Sequence, residues 1–99
     1  MFWWVAGMEK IHFQLYVAGN TPRADRAVAN LRRLCAAKFE GQCEIEIIDV
    51  LQRPDLAEQE KIIATPTLIK LAPMPRRRLV GDLSNVELVC EMLGLEFTP

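Results

Sequence analysis

The feature that most constrains the fold is a strand, a helix and a second strand in close succession. Residues Ile11–Val17 alternate apolar and polar side chains and include aromatic and β-branched residues, a pattern typical of a β-strand. Thr21 can cap a helix that begins at Pro22, and apolar residues then recur at helical spacing as far as Cys35. Cys43–Val50 predicts a second strand. Two strands joined by such a helix should lie parallel with a right-handed crossover.

The remaining sequence predicts a second helix, two short strands and a third helix. Pro54–Lys61 indicates a short helix, whereas Thr67–Leu71 and Arg76–Val80 indicate short strands. Ser84 and Glu87 have the spacing of a capping box at the start of the last helix. The resulting order, βαβ-α-ββ-α, predicts an α/β domain of the thioredoxin-like type.

Length limits the chain to one domain. The 99 residues are too few for two domains, and we place a single domain at residues 11–99. The N-terminus begins with a seven-residue apolar stretch that is too short for a signal peptide or a membrane span. We therefore expect residues 1–10 to be a disordered or non-native extension, with Met8 as a candidate biological start, and we expect no membrane span.

Charge is balanced overall but segregated along the chain. The net charge is −1, which gives no electrostatic attraction to nucleic acid. Residues 40–60 hold seven acids and one base, whereas residues 61–80 hold five bases and no acid. Such asymmetry suits a partner surface, and a solvated surface is an equally good explanation.

Catalytic motifs are missing from the sequence. Thioredoxin-like enzymes use a Cys-x-x-Cys at the first strand–helix junction, and here that junction, Ala18–Arg23, contains no cysteine. Cys35, Cys43 and Cys90 are expected to be buried or half-buried hydrophobes in a reducing cytoplasm, because an odd number of cysteines does not suit a disulfide framework. One histidine gives no zinc spacing, so we expect no metal or other cofactor. The sequence predicts a binding module rather than an enzyme.

Four segments form a specific set of motifs. They are LYVAGNTP at Leu15–Pro22, IIDVL at Ile47–Leu51, LAEQEKIIATPTLIK at Leu56–Lys70 and RRLVGDLSN at Arg77–Asn85. In this order and spacing they resemble the KaiB family over most of residues 11–94. The resemblance implies a non-enzymatic, cytoplasmic timing regulator that binds the CI ring of a KaiC-like hexameric ATPase. KaiA and clock histidine kinases are implied as further partners where the cell has them.

The resemblance also implies that the C-terminal half is metamorphic. KaiB-like proteins have a ground-state fold, a homotetramer or dimer, and a thioredoxin-like monomer that binds the ring. The expected fold-switch positions are Pro66, Pro73, Pro75, Gly81 and Asp82. Pro66 stands where thioredoxins have a cis-proline, and it is expected to be cis in the thioredoxin-like form.

Basic residues that match the family are the expected contacts to the ring. They are Arg26, Lys61, Lys70 and Arg77, and at each of them a solvated charge is the alternative. Three other functions stay open. One is an interaction module similar to the sensor domain of the SasA kinase, in a stress or signalling pathway. Another is a redox enzyme, which needs a thiol that the first junction lacks. The last is a phosphate-binding scaffold at Arg76–Arg78, although consecutive strand residues point to alternate faces.

Overall fold

The computed structural model describes residues 10–92, which form a four-stranded sheet with helices on both faces. The elements are β1 (Ile11–Val17), α1 (Pro22–Lys38), β2 (Cys43–Asp49), α2 (Pro54–Gln59), β3 (Thr67–Ala72), β4 (Arg77–Val80) and α3 (Val86–Met92). Within the sheet the order is β2-β1-β3-β4. β1 and β2 are parallel, whereas β3 is antiparallel to β1 and to β4. The thioredoxin-like order and the parallel first pair are confirmed. Residues 1–9 of the expected extension lie outside the described residues.

α1 begins where the sequence places its cap. Thr21 has an extended backbone, and its hydroxyl accepts a hydrogen bond from the Ala24 N–H at 3.1 Å. Pro22 occupies the first helical position, where its missing N–H is not needed. At the other end the Phe39 N–H bonds to the Cys35 carbonyl at 3.1 Å, and the chain turns back toward β2. The two ends fix α1 across one face of the sheet.

The alternation of β1 gives the sheet two apolar faces. Phe13 and Leu15 point to the side covered by α1 and α3, in a buried cluster that includes Leu31 of α1. Tyr16 and Ile48 point to the other side, in a smaller cluster partly covered by α2. Full burial of each large apolar side chain stabilises the fold by about 1.5–3 kcal/mol, so the larger cluster dominates stability.

The start of α3 differs from the predicted capping box. The helix begins at Val86, and Asn85 is its cap, because Asn85 Oδ1 accepts the Leu88 N–H at 3.1 Å. Ser84 instead belongs to a turn in which its N–H donates to Asp82 Oδ1 at 3.2 Å. The prediction of Ser84 as the cap was wrong, because Asp82 holds Ser84 in the preceding turn.

The cysteines also correct an expectation. Cys35 and Cys43 are joined by a disulfide, whereas the odd number of cysteines predicts no disulfide framework. The return from α1 to β2 brings their Cα atoms to 6.0 Å, a separation that suits a disulfide. Cys90 is free and buried, and burial raises the pKa of its thiol. All three cysteines are buried or half-buried, as expected, but only Cys90 remains a free thiol.

Candidate partner-binding surface

The loop between β1 and α1 lies where thioredoxin-like enzymes carry their redox cysteines. It lines an open cleft of about 180 Å³ together with the start of β3; the lining residues are Val17, Ala18, Thr21, Arg23, Ala24, Thr65 and Pro66. The Thr65–Pro66 peptide bond is cis, as predicted for this form. None of the lining residues contains sulfur, and Arg23 is the one charged residue among them. The cleft is open to solvent, and its lining has no thiol for redox chemistry.

One network joins the first helix to the predicted switch positions. The Gly81 N–H donates to the Pro66 carbonyl at 2.9 Å, beside the cleft. Arg26 Nε lies 3.7 Å from Asp82 Oδ2, and Asn30 Nδ2 donates to the Asp82 carbonyl at 2.8 Å. We call Arg26, Pro66, Gly81 and Asp82 the switch corner. It brings together one expected ring contact and three of the five expected fold-switch positions.

Asp82 is held as a carboxylate by its surroundings. Hydrogen bonds from the Ser84 hydroxyl and backbone N–H lower the pKa of Asp82, and Arg26 and Arg23 lower it further. Because Asp82 stays ionised, its ion pair with Arg26 persists in mildly acidic solution. The Arg26 side chain is still more than half exposed, so a partner can reach it.

A second network ties the end of α2 to β4. Arg78 donates to the carbonyls of Glu60 at 2.5 Å and Lys61 at 3.1 Å. The Glu60 carboxylate accepts a hydrogen bond from Arg76 at 2.7 Å. The Lys61 side chain remains exposed, and its backbone has a φ of 55°, which the bond to Arg78 helps to hold. The acidic segment 40–60 and the basic segment 61–80 are therefore partly paired with each other, through Glu60 and the two arginines.

Lys70 and Arg77 are direct neighbours across β3 and β4. Arg77 is exposed, whereas Lys70 is only 1% exposed. Burial lowers the pKa of Lys70, and the nearby Arg77 lowers it further. Among residues 10–92, no carboxylate forms an ion pair with Lys70. Of the two expected ring contacts, only Arg77 is accessible in this form.

Two exposed apolar side chains beside the cleft were missed from the sequence. Ile63 is 95% exposed and lines a shallow hollow that shares Ala18 and Thr65 with the cleft. Leu51 is 71% exposed and lies against Gly19, where an added Cβ would come within 3.3 Å of Leu51 Cδ1. Adjacent exposed apolar groups often mark a docking surface. The available signal was the Ile62-Ile63 pair, because neighbouring side chains rarely both face the core.

The other predicted switch positions lie apart from the switch corner. Pro73 and Pro75 occupy the connection between β3 and β4, at the opposite end of the sheet from the cleft. Both are preceded by cis peptide bonds, and Met74 between them is 76% exposed. The five expected fold-switch positions therefore fall into two groups at the two ends of β3.

Other kinds of site have less support. A hollow of about 180 Å³ lies over Ile69 and Arg76–Arg78, but the Glu60 carboxylate approaches both Arg76 and Arg78, at 2.7 and 3.9 Å. Because this carboxylate is negative and already pairs with the arginines, it disfavours binding of a phosphate there. Residues 10–92 contain no group of three or more His, Cys, Asp or Glu side chains placed to hold a metal ion. Within the same residues, no helix is long and apolar enough to cross a membrane.

Comparison with known families assigns the chain. The family model described as the KaiB domain matches residues 14–95. The chain belongs to the KaiB family. It is 48% identical to circadian clock protein KaiB3 of Synechocystis sp. over 92 aligned residues. The alignment covers 93% of this chain and 88% of that relative. It is 49% identical to circadian clock oscillator protein KaiB of Synechococcus elongatus over 83 aligned residues. That alignment covers 84% of this chain and 79% of the relative.

Solved structures agree with the KaiB-family fold. The N-terminal domain of Synechococcus elongatus SasA matches with a TM-score of 0.70 and 25% identity, over 84% of this chain and 79% of that domain. The thioredoxin Deadhead of Drosophila melanogaster matches with a TM-score of 0.68 and 19% identity, over 93% and 87%. The thioredoxin-like fold is therefore shown, and the clock-protein names of the KaiB relatives support a clock-regulator role for this chain.

Proposed function

We propose that this KaiB-family chain is a non-catalytic, cytoplasmic clock regulator that docks on the CI ring of a KaiC-like hexameric ATPase. The observation that carries the proposal is the cleft at Ala18–Arg23, which keeps the thioredoxin shape but lacks a thiol. Beside this cleft, the exposed Ile63 and Leu51 would supply apolar contacts to the ring, and the exposed Arg26 and Lys61 would supply basic ones. An apolar centre with a charged rim is the usual anatomy of a protein interface.

Docking would control what else reaches the ring. The chain resembles the SasA N-terminal domain in shape, with a TM-score of 0.70, so a kinase sensor of that kind and this chain would compete for one surface. Competition of this kind changes the access of output kinases and the phosphorylation state of the ring. KaiA and other clock histidine kinases are further partners in cells that contain them.

The described form corresponds to the binding-competent state in this proposal. In the ground state the chain is a homotetramer or dimer with a rearranged C-terminal half. The switch corner supports this division, because it joins the C-terminal residues Gly81 and Asp82 to Arg26 and Asn30 of α1. If only a small fraction of the molecules is binding-competent, the apparent Kd rises by the reciprocal of that fraction.

Changes at the docking surface should weaken ring binding without unfolding the protein. We expect Lys61→Glu and Ile63→Ser each to raise the Kd about tenfold or more, because each alters an exposed group at the proposed interface. Arg26→Glu should raise the Kd to a similar extent, in part because it also breaks the ion pair with Asp82. Ile63 is 95% exposed, so its change removes little from the core. The Kd is measured by isothermal titration calorimetry with a KaiC-like hexamer in the presence of ATP.

Met74→Ser is the matched control for this series. Met74 is also an exposed apolar residue, at 76%, but it lies at the far end of the sheet. Circular dichroism confirms that each variant retains its fold. Wild-type Kd values for Arg26→Glu, Lys61→Glu and Ile63→Ser would remove this surface from the proposal, as would an equal loss in Met74→Ser.

The proposed fold switch predicts two species in solution. The 15N-1H spectrum should show two slowly exchanging sets of peaks, and dilution or ring addition should increase the thioredoxin-like set. Size-exclusion light scattering should show an oligomer that yields monomers upon ring binding. A single thioredoxin-like monomer at every concentration would rule out the switch. The docking proposal would then be tested by the Kd measurements on the binding variants alone.

A further inference from the structure

The Cys35–Cys43 disulfide lies far from the proposed docking surface. Cys35 is in the last part of α1, and Cys43 is the first residue of β2, whereas the cleft lies at the beginning of α1. Cys35 is buried, but Cys43 is only half-buried and belongs to the edge strand of the sheet. Of the two cysteines, Cys43 is therefore the more accessible to a thiolate in solution.

Backbone hydrogen bonds hold the two cysteines near each other independently of the disulfide. The N–H groups of Phe39 and Gly41 both donate to the Cys35 carbonyl, at 3.1 and 2.9 Å. Gln42 donates to the Phe39 carbonyl at 2.8 Å, and the Gln42 carbonyl accepts the Ile11 N–H at 2.9 Å. Opening the disulfide leaves this turn in place, so the two sulfurs stay within reach of each other.

We propose that Cys35 and Cys43 form a reversible thiol–disulfide site that exchanges with small thiols and disulfides of the glutathione class. Cys43 is the sulfur that exchanges with the small molecule, because it is the accessible one. Cys35 is the internal partner that closes the bond. The site goes beyond the proposed ring binding, since it makes the N-terminal half sensitive to redox conditions.

The exchange balances in two steps. A glutathione thiolate attacks the Cys43 sulfur, which forms a mixed disulfide and releases Cys35 as a thiolate that takes up a proton. A second glutathione thiolate then attacks the glutathione sulfur of the mixed disulfide. This releases glutathione disulfide and the Cys43 thiolate, which is also protonated. One protein disulfide becomes two thiols while two glutathione molecules become one disulfide, and closure is the reverse.

Opening the site should lower thermal stability. The disulfide closes a loop with a sequence separation of 8 and restricts the unfolded chain. We expect reduction to lower the Tm by about 10 °C, and reoxidation to restore it. Cys90 should not take part, because it is buried in α3.

The test is an equilibration of the full chain in buffers of graded glutathione and glutathione disulfide content. Samples are quenched with acid, unfolded, alkylated and weighed by intact mass spectrometry. The expected result is one transition in which two further alkyl groups appear together, and peptide mapping places them on Cys35 and Cys43. Cys90→Ala should keep the transition. Cys43→Ser, at a half-buried position that accepts a hydroxyl, should abolish it.

Three results would overturn the proposal. Failure of reduced glutathione to open the bond would mark a permanent structural disulfide. A glutathione adduct on Cys43 with no internal disulfide would mark a simple exposed thiol. A disulfide that includes Cys90 would mark a different pair. None of these measurements uses the ring, so the outcome is separate from that of the binding series.

Discussion

Replacing Lys70 by methionine should stabilise the described fold by about 1–2 kcal/mol at neutral pH. Lys70 is 1% exposed, and its cross-strand neighbour Arg77 carries the same charge. Partial loss of hydration of the Lys70 ammonium group, with no carboxylate paired to it, costs free energy that a thioether of similar length does not incur. The expected gain corresponds to a rise in Tm of about 5–10 °C.

The pH dependence of this gain follows from the lowered pKa of Lys70. The folded chain releases the Lys70 proton below the ordinary pKa of 10.5, so in that alkaline range the unfolded chain binds more protons. The contribution of Lys70 therefore makes the wild-type protein more stable as pH rises toward 10.5. Burial raises the pKa values of Cys90 and Tyr16, so these groups act in the opposite direction above about pH 9 and 10. The advantage of Lys70→Met should shrink as pH approaches 10.5.

Urea unfolding at pH 7 and pH 10 measures both effects. Lys61→Met is the control, because Lys61 is an exposed lysine and its change should alter stability by less than about 0.5 kcal/mol. A loss of stability in Lys70→Met at pH 7 would show that the ammonium group has a favourable partner in solution.

Truncating Leu83 to alanine should destabilise the described fold by about 2–4 kcal/mol. Leu83 is 5% exposed and belongs to the same buried cluster as Leu31 and Val89. Its backbone has a φ of 66°, which is unfavourable for a large L-residue, so the buried side chain must offset that strain. Alanine keeps the unfavourable backbone and loses most of the contacts.

The Leu83 change should also alter the balance between the two proposed folds. Leu83 follows the switch corner in the C-terminal half, so its core contacts are expected only in the thioredoxin-like form. A cost of 2–4 kcal/mol would lower the ratio of this form to the ground state by a factor of roughly 30 or more. The populations are read from peak intensities in 15N-1H spectra.

Two further variants are controls for the population measurement. Leu88→Ala changes a half-exposed residue of α3 and should leave both populations nearly unchanged. Leu31→Ala truncates a fully buried residue of α1, in the N-terminal half that both folds are proposed to share, so it should lower overall stability without favouring either fold. Equal populations in wild type and Leu83→Ala would contradict the proposed role of Leu83.

The N-terminal half was predictable because its local signals agree. Thr21 and Pro22 define the start of α1, and the alternation of Ile11–Val17 defines both the strand and its two faces. The cap of α3 was not predictable in the same way. Ser84 and Asn85 are both good capping residues, and the choice between them depends on the turn that Asp82 makes in three dimensions.

The candidate site was predicted in part. The family resemblance pointed to Arg26, Pro66 and Asp82, but their convergence beside the cleft depends on the packing of the β4–α3 connection on α1. The burial of Lys70 depends on what covers β3, which a basic residue in a short apolar run does not reveal. Similarly, the approach of Cys35 to Cys43 is set by the path of the α1–β2 turn rather than by cysteine number.

The strand order β2-β1-β3-β4 divides the molecule along a single seam. All of the first half lies on the β1 side, and β3 and β4 follow as a hairpin on the other side. Within the sheet, detachment of the hairpin opens one ladder, the antiparallel one between β1 and β3, which already contains a register shift between His12 and Phe13. It also breaks the contacts of Arg76 and Arg78 with Glu60 and those of Asp82 with α1. The parallel pair and its crossover helix remain paired during such an opening. Partial unfolding of the C-terminal half is thus separable from global unfolding.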